Sequence, residues 1–288
     1  MKRIAWVVPL ACGLISGTTL AVRAQDAGGR ATRIDVGAFY QDFSTGRDQY
    51  GPWSGIYLKG TNRPPLYQLG FTGILELVAK RHDDEAHENE GAYAVGSAYY
   101  DWSPRVYSFS SVGGSTGEPF VQFSAHQEID VKLTPERNFV LGAGLGYLKY
   151  HTVNSNFYVA LGGTYYWGGT FASDLPIVLQ YHYRRTFADP VDAQLNTHIL
   201  AVGFGRYHHR WTTVRYLYGQ EVFRAGGGGA PTFDPALRGQ VISLEHEAQL
   251  TDRFGVVAGV AFTHKRHEQE DRTLFSGPGG ELRFFWNL

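Results

Sequence analysis

Cysteine is nearly absent: the 288 residues hold one, Cys12, and methionine occurs only as Met1. Disulfides and thiolate metal sites are thereby excluded from the rest of the chain. Charge is also scarce, at 18% of residues, with 26 Lys and Arg against 27 Asp and Glu. Nucleic acid as a partner is disfavoured, because phosphate binding needs a clustered positive face. After Gln25 no apolar run is long enough for a membrane-spanning helix, and helical periodicity is scarce. What the chain has is glycine (36), tyrosine (18), phenylalanine (18) and tryptophan (6). That balance favours β structure, and a 43% hydrophobic content excludes a disordered chain.

The N-terminus reads as a signal peptide over residues 1–24. Lys2 and Arg3 precede an apolar stretch, Ile4 to Leu20, that is interrupted by Pro9, Gly13, Ser16 and Gly17. Val22-Arg23-Ala24 then offers small side chains where a signal peptidase reads, making Gln25 the expected mature start. The competing reading, a membrane anchor, suffers from the shortness and helix breakers of the stretch. Cys12 follows Pro9-Leu10-Ala11, which does not fit a lipoprotein box.

From Gln25 onward, segments of about 9 to 15 residues alternate with period two, as the strands of a transmembrane barrel do. In Phe120 to Leu133, the apolar face is Val121, Phe123, Ala125, Ile129, Val131 and Leu133. The other face is Gln122, Ser124, His126, Glu128, Asp130 and Lys132. Leu175, Ile177, Leu179, Tyr181 and Tyr183 oppose Gln180, His182 and Arg184 in the same way. Ile242, Leu244, Ala248 and Leu250 oppose Ser243, Glu245, Glu247 and Gln249, and a run of Gly142, Gly144 and Gly146 opposes Leu141, Ala143, Leu145 and Tyr147.

The expected fold class is therefore all-β: a single transmembrane antiparallel up-and-down barrel over residues 25–288. It has about 14 strands, with 12 to 16 left open by two weak segments. The segments fall near 33–43, 53–61, 66–82, 91–102, 105–112, 119–133, 138–151, 155–167, 175–186, 195–208, 211–223, 239–250, 254–266 and 280–288. Connections alternate between tight and long. Ser103-Pro104, Thr134 to Arg137, His209-Arg210 and Thr251 to Arg253 are tight, whereas Ser44 to Pro52, Asp83 to Glu90, Phe187 to Gln194, Arg224 to Arg238 and Glu268 to Gly279 are longer. Aromatics near segment ends, among them Tyr40, Trp53, Tyr99, Tyr100, Trp102, Tyr165, Tyr166, Trp167, Trp211 and Tyr218, suit interfacial girdles. The last segment alternates to the terminal Leu288, in a position where insertion machinery reads an aromatic. A monomer of the Gram-negative outer membrane follows, with lipid and lipopolysaccharide around it and the insertion machinery engaging its C-terminal strand.

The chain resembles the YaiO-type outer-membrane β-barrel proteins. The resemblance is carried by Gly37-Ala38-Phe39-Tyr40, by Trp53 through Tyr57-Leu58-Lys59-Gly60, and by Asp83-Asp84-Glu85 leading into Tyr99-Tyr100-Asp101-Trp102-Ser103-Pro104-Arg105. It implies an outer-membrane location and a barrel fold, and it brings no catalytic residues with it.

Chemistry is expected from inward polar side chains: Gln122, His126, Glu128, Asp130, Lys132, Gln180, His182, Arg184, Arg215, Glu245, Glu247 and Arg283, with Asp35, Glu76 and Lys80 on the same parity. Mixed charges across a narrow aqueous lumen would screen a small polar solute. The alternative is that the charges pair and plug the interior, leaving a surface-binding or scaffold role. An enzyme needs a nucleophile beside a base. Ser124 with His126 share a face two residues apart, whereas Ser243 and His246 lie on opposite faces, so no catalytic set is assigned. The histidines His82 and His87 around Asp83 to Glu85, and His264 with His267, match no metal-ligand spacing. Gly226 to Gly229 lacks a following Lys-Ser/Thr and reads as a flexible outer loop. Neither cofactor nor metal is called for.

Overall fold

The computed structural model describes residues 32–42, 53–62, 71–82, 90–117, 121–151, 155–167, 176–189, 193–206, 209–219, 237–267 and 272–288. The expected signal peptide, the acidic segment Asp83 to Glu85 and the glycine loop Gly226 to Gly229 lie outside them. Fourteen strands follow in chain order. They are β1 (Thr32–Gln41), β2 (Trp53–Asn62), β3 (Phe71–His82), β4 (Glu90–Asp101), β5 (Val106–Ser115), β6 (Phe123–Lys132) and β7 (Phe139–Lys149). The remainder are β8 (Ser155–Trp167), β9 (Ile177–Asp189), β10 (Ala193–Arg206), β11 (Arg210–Gly219), β12 (Leu237–Gln249), β13 (Phe254–His267) and β14 (Arg272–Asn287). Each pairs antiparallel with its chain neighbours, and β1 also pairs with β14, Arg33 opposite Asn287 through Gln41 opposite Gly279, so the sheet closes. Closure leaves no strand edge with unpaired backbone groups, the condition for strands to stand in hydrocarbon.

Burial alternates as the sequence does. On β6, Ser124, His126, Glu128 and Asp130 are covered, while Phe123, Gln127 and Ile129 are exposed. On β8, Asn156, Tyr158 and Thr164 are covered, and Phe157, Val159, Leu161 and Tyr165 are exposed. The usual soluble arrangement is inverted: apolar residues face outward and polar ones fill the interior.

Exposed aromatics form two belts on the outer wall. One runs through Trp102, Tyr165, Trp167 and Trp286 at the end that carries Leu288, and the other through Phe123, Tyr147, Phe157 and Phe187. Phe157 and Trp167 are ten residues apart along β8, which at barrel tilt corresponds to about 25 Å of apolar wall. Tyr99, Tyr166 and Trp211 depart from the expected girdle, Tyr166 because it shares the inward face of β8 with Tyr158 and Thr164. Tyr99 is buried with its ring 4.7 Å from Phe109, and Trp211 lies over Gly203.

The tight turns are set by Ser and Thr hydroxyls. Ser103 Oγ accepts from the backbone N–H of Val106 at 3.0 Å, Thr134 Oγ1 from Asn138 at 3.0 Å, and Thr251 Oγ1 from Phe254 at 3.0 Å. Each hydroxyl takes the place of a backbone acceptor and reverses the chain in a few residues.

Two connections are shorter than the sequence suggests. Phe187 to Asp189 and Ala193 onward are strand, as is Arg272 to Gly279. The Gly277-Pro278-Gly279-Gly280 run looks like a strand breaker. Yet Gln41 Nε2 donates to the Gly277 and Pro278 carbonyls at 3.0 and 3.2 Å, and Gly279 leaves room for that side chain.

Candidate functional site: the polar lumen

Two groups of charged side chains occupy the interior. The first lies at the seam between the chain ends. Arg33 of β1 donates through Nε and one terminal nitrogen to Asp35 at 2.9 and 2.7 Å. The same guanidinium donates to both oxygens of Glu247 on β12 at 2.9 and 3.0 Å, and it lies 3.8 Å above the Phe285 ring. Beside it, Arg283 of β14 pairs with Glu245 on β12 and with Glu281, the latter at 3.3 Å. These pairs bridge β13, whose inward Gly255 and Gly259 lie directly beneath Phe285 and Glu281. A side chain at either position would collide with what now rests there.

The second group lines the β6–β9 wall. His126 Nε2 lies 3.2 Å from Glu128 Oε2, and its Nδ1 lies 3.0 Å from the Tyr158 hydroxyl. The two rings stack with centroids 5.7 Å apart, and the Arg184 guanidinium lies 5.0 Å from the Tyr158 ring centroid. Asp130 is buried next in line, and Lys132 reaches over the Tyr107 ring at 5.3 Å. Gln180 Nε2 donates to Thr164 Oγ1 at 3.3 Å. Glycines again make the room: Gly142 beneath Asp130 and Glu128, Gly146 beneath Tyr158, and Gly162 beneath His182. Arg215 on β11 stands between the groups and acts electrostatically on both His182 and Glu245.

Among the described residues the charges at the seam are thus paired, as burial of ions demands. Water access is uneven. The side chains of His126 and Glu128 are 5% and 7% exposed, whereas Glu245 and Glu247 are 38% and 28% exposed. Glu245 lies four residues in from the end of β12, about 10 Å from the mouth at barrel tilt. Glu245 and Glu247 therefore border open space inside the barrel along the β12 wall, while the β6–β8 wall is filled.

Of the twelve inward residues expected from sequence, eleven lie on interior-facing strand positions. Gln122 does not, since it stands exposed on the bend before β6, where its carbonyl accepts from Ser115 N–H at 3.3 Å. The side chains of Glu76 and Lys80 lie outside the described residues. Three residues were not singled out: Arg33, Tyr158 and Glu281. Parity marks all three, because they share faces with Asp35, Asn156 and Arg283.

The serine and histidine pairs do not form a nucleophile and base. Ser124 Oγ is bonded to the Tyr93 hydroxyl at 2.7 Å, while both ring nitrogens of His126 have other partners. His246 is exposed on the outer wall, its Nδ1 2.9 Å from Thr212 Oγ1, and Ser243 faces inward. Among the described residues no three His, Cys, Asp or Glu side chains converge to hold a metal ion.

Comparison with known proteins agrees with this architecture. A family model, the YaiO membrane beta barrel domain, matches residues 31–221, more than half of the chain. No curated protein matches the sequence. Among solved structures, a bacterial polysaccharide outer membrane secretin is similar at a TM-score of 0.55 and 9% identity, covering 91% of this chain and 99% of that one. The deltaS2 mutant of the TodX monoaromatic hydrocarbon channel gives 0.56 and 9%, with 91% of both chains covered. Omp33 of Acinetobacter baumannii gives 0.51 and 12%, covering 90% of this chain and 98% of that one. At such identities the likeness is one of fold.

Proposed function

This chain belongs to the YaiO membrane beta barrel family, proteins of the outer membrane, and on that footing we propose that it is a narrow monomeric channel for passive passage of small polar solutes. The reading is carried by the exposure of Glu245 and Glu247 on the inner wall of β12, against the near-complete cover of the β6–β8 group. Solutes enter along the carboxylate-bearing wall from the end that holds Thr32 and Leu288. They then meet a constriction formed by His126, Tyr158, His182 and Arg184. Glu245 is more exposed than its partner Arg283, at 38% against 14%, so the water-facing surface of that pair is weighted towards negative charge and small cations are favoured. No chemical step is part of this function; the dispersed serines and histidines support a conduit over a lipid-modifying hydrolase.

Burial of the second group supports one other reading, a barrel closed at the constriction that serves as a scaffold. Single-channel recording in planar bilayers separates them. Discrete, salt-dependent steps are expected, with a cation-selective reversal potential that moves towards zero in the Glu245→Gln, Glu247→Gln double variant. A folded barrel without conductance would overturn the channel and leave the closed scaffold.

A further inference from the structure

The outer wall carries a groove that none of the described residues fills. It has a volume of about 670 Å³ and an almost wholly apolar lining, and it crosses β1 to β5. Its axis follows one row of paired residues: Ile34 opposite Gly60, Gly60 opposite Leu75, Leu75 opposite Gly96, and Gly96 opposite Val112. The interior glycines are roofed by a neighbouring side chain, as Gly146 is by Tyr158. A Cβ at Gly60 or Gly96 would instead meet nothing within 4 Å. The groove is therefore open on the side that faces hydrocarbon.

Its direction and polarity identify an occupant. At β1 the groove begins beside Thr32 and Asn62, at the end where Leu288 N–H donates to the Thr32 carbonyl. At β5 it ends at Val112, six residues in from the same end of that strand. Six residues at barrel tilt climb about 15 Å, half the thickness of a bilayer core. Thr32 Oγ1 and Asn62 Oδ1 meet at its entrance at 3.5 Å, while Ser110 further in is already satisfied, its Oγ donating to Gln127 Oε1 at 2.5 Å. Polarity thus sits at the entrance, and Ile34, Leu75 and Val112 continue the groove in hydrocarbon, which is the order of a lipid headgroup and its chain.

We propose that this groove is a seat for one acyl chain of a phospholipid in the leaflet at the Thr32 end of the barrel, with the polar headgroup beside Thr32 and Asn62 and the chain rising to Val112. The site stands whether or not the lumen conducts.

The test uses the protein folded in vesicles of phosphatidylethanolamine and phosphatidylglycerol that contain a trace of phosphatidylcholine bearing a diazirine in mid-chain. After irradiation, labelled peptides are mapped by mass spectrometry. Labelling is expected to concentrate on β1 to β5 and to fall about tenfold in Gly96→Leu, the effect of displacing two seated methylenes. It should be unchanged in Ala143→Leu, which adds three carbons to the exposed wall of β7. Should Gly96→Leu fail to show the heat-dependent gel shift of a folded barrel, Gly60→Val fills the same groove nearer its entrance. Labelling spread evenly around the wall, or indifferent to filling, would overturn the seat. So would replacement of lipid adducts by cross-links between two copies through β1 to β5.

Discussion

Arg33 on β1 and Glu247 on β12 meet inside the barrel with two strands, β13 and β14, lying between them along the wall. The contact spans the seam where the two ends of the chain pair, so it braces closure from within. Arg33→Ala is expected to lower stability by about 1.5–3 kcal/mol, the range for hydrogen bonds to charged groups, and it would strand Asp35, which is 2% exposed. Urea titration of the folded, heat-modifiable species measures it. A double-mutant cycle with Glu247→Gln should show non-additivity, and purely additive losses would show that the pair does not brace the seam.

Tyr158 is the roof beam of the filled wall. Its hydroxyl holds His126, its ring carries Arg184, and Gly146 lies beneath it. Tyr158→Ala therefore removes the floor of the proposed constriction. Single-channel conductance is expected to rise, with a stability loss of about 3–5 kcal/mol from the cavity left behind. Unchanged conductance in a folded variant would place the constriction elsewhere.

Glycine substitutions should divide by the face they occupy. Gly146→Val inserts methyl groups into the space of the Tyr158 ring and is expected to cost about 1–3 kcal/mol through overpacking. Gly60→Val points into open space, so its change should stay within about 0.5 kcal/mol. Comparing the two urea midpoints checks the sidedness of the wall directly.

The same sidedness explains how much was legible beforehand. Period-two alternation located β6 to within four residues at its start, 119 expected against Phe123, and β7 to within two at its end, 151 against Lys149. A one-residue error in register would have turned every side chain around, which is why the inward parity of His126, Glu128, Asp130, Arg184, Glu245 and Arg283 could be read from spacing. Partners could not be read. Glu247 and Arg33 are separated by 214 residues, and only closure brings them together. Gly277 to Gly280 misled because glycine and proline signal a turn in an isolated segment, whereas here Gly279 admits Gln41. The groove on β1 to β5 was likewise invisible, since it depends on Gly60 and Gly96 falling into one register row across two intervening pairings.

Arg137 adopts φ 59° in the turn between β6 and β7, a left-handed conformation that costs a residue with a Cβ about 1–2 kcal/mol. The turn holds because Arg137 N–H donates to the Thr134 carbonyl at 2.9 Å, and Thr134 Oγ1 accepts from Asn138 N–H. Glycine adopts that φ freely but gives up about 0.5–1 kcal/mol through the entropy of the unfolded chain. Arg137→Gly is therefore expected to stabilise the barrel slightly, by about 0.5–1 kcal/mol, and Arg137→Val to destabilise it, because a β-branched side chain tolerates positive φ least. The ordering Gly above Arg above Val in urea midpoint is the measurement. A midpoint for Arg137 above that of Arg137→Gly would mean that the Arg137 side chain contributes more at the membrane surface than its backbone strain removes.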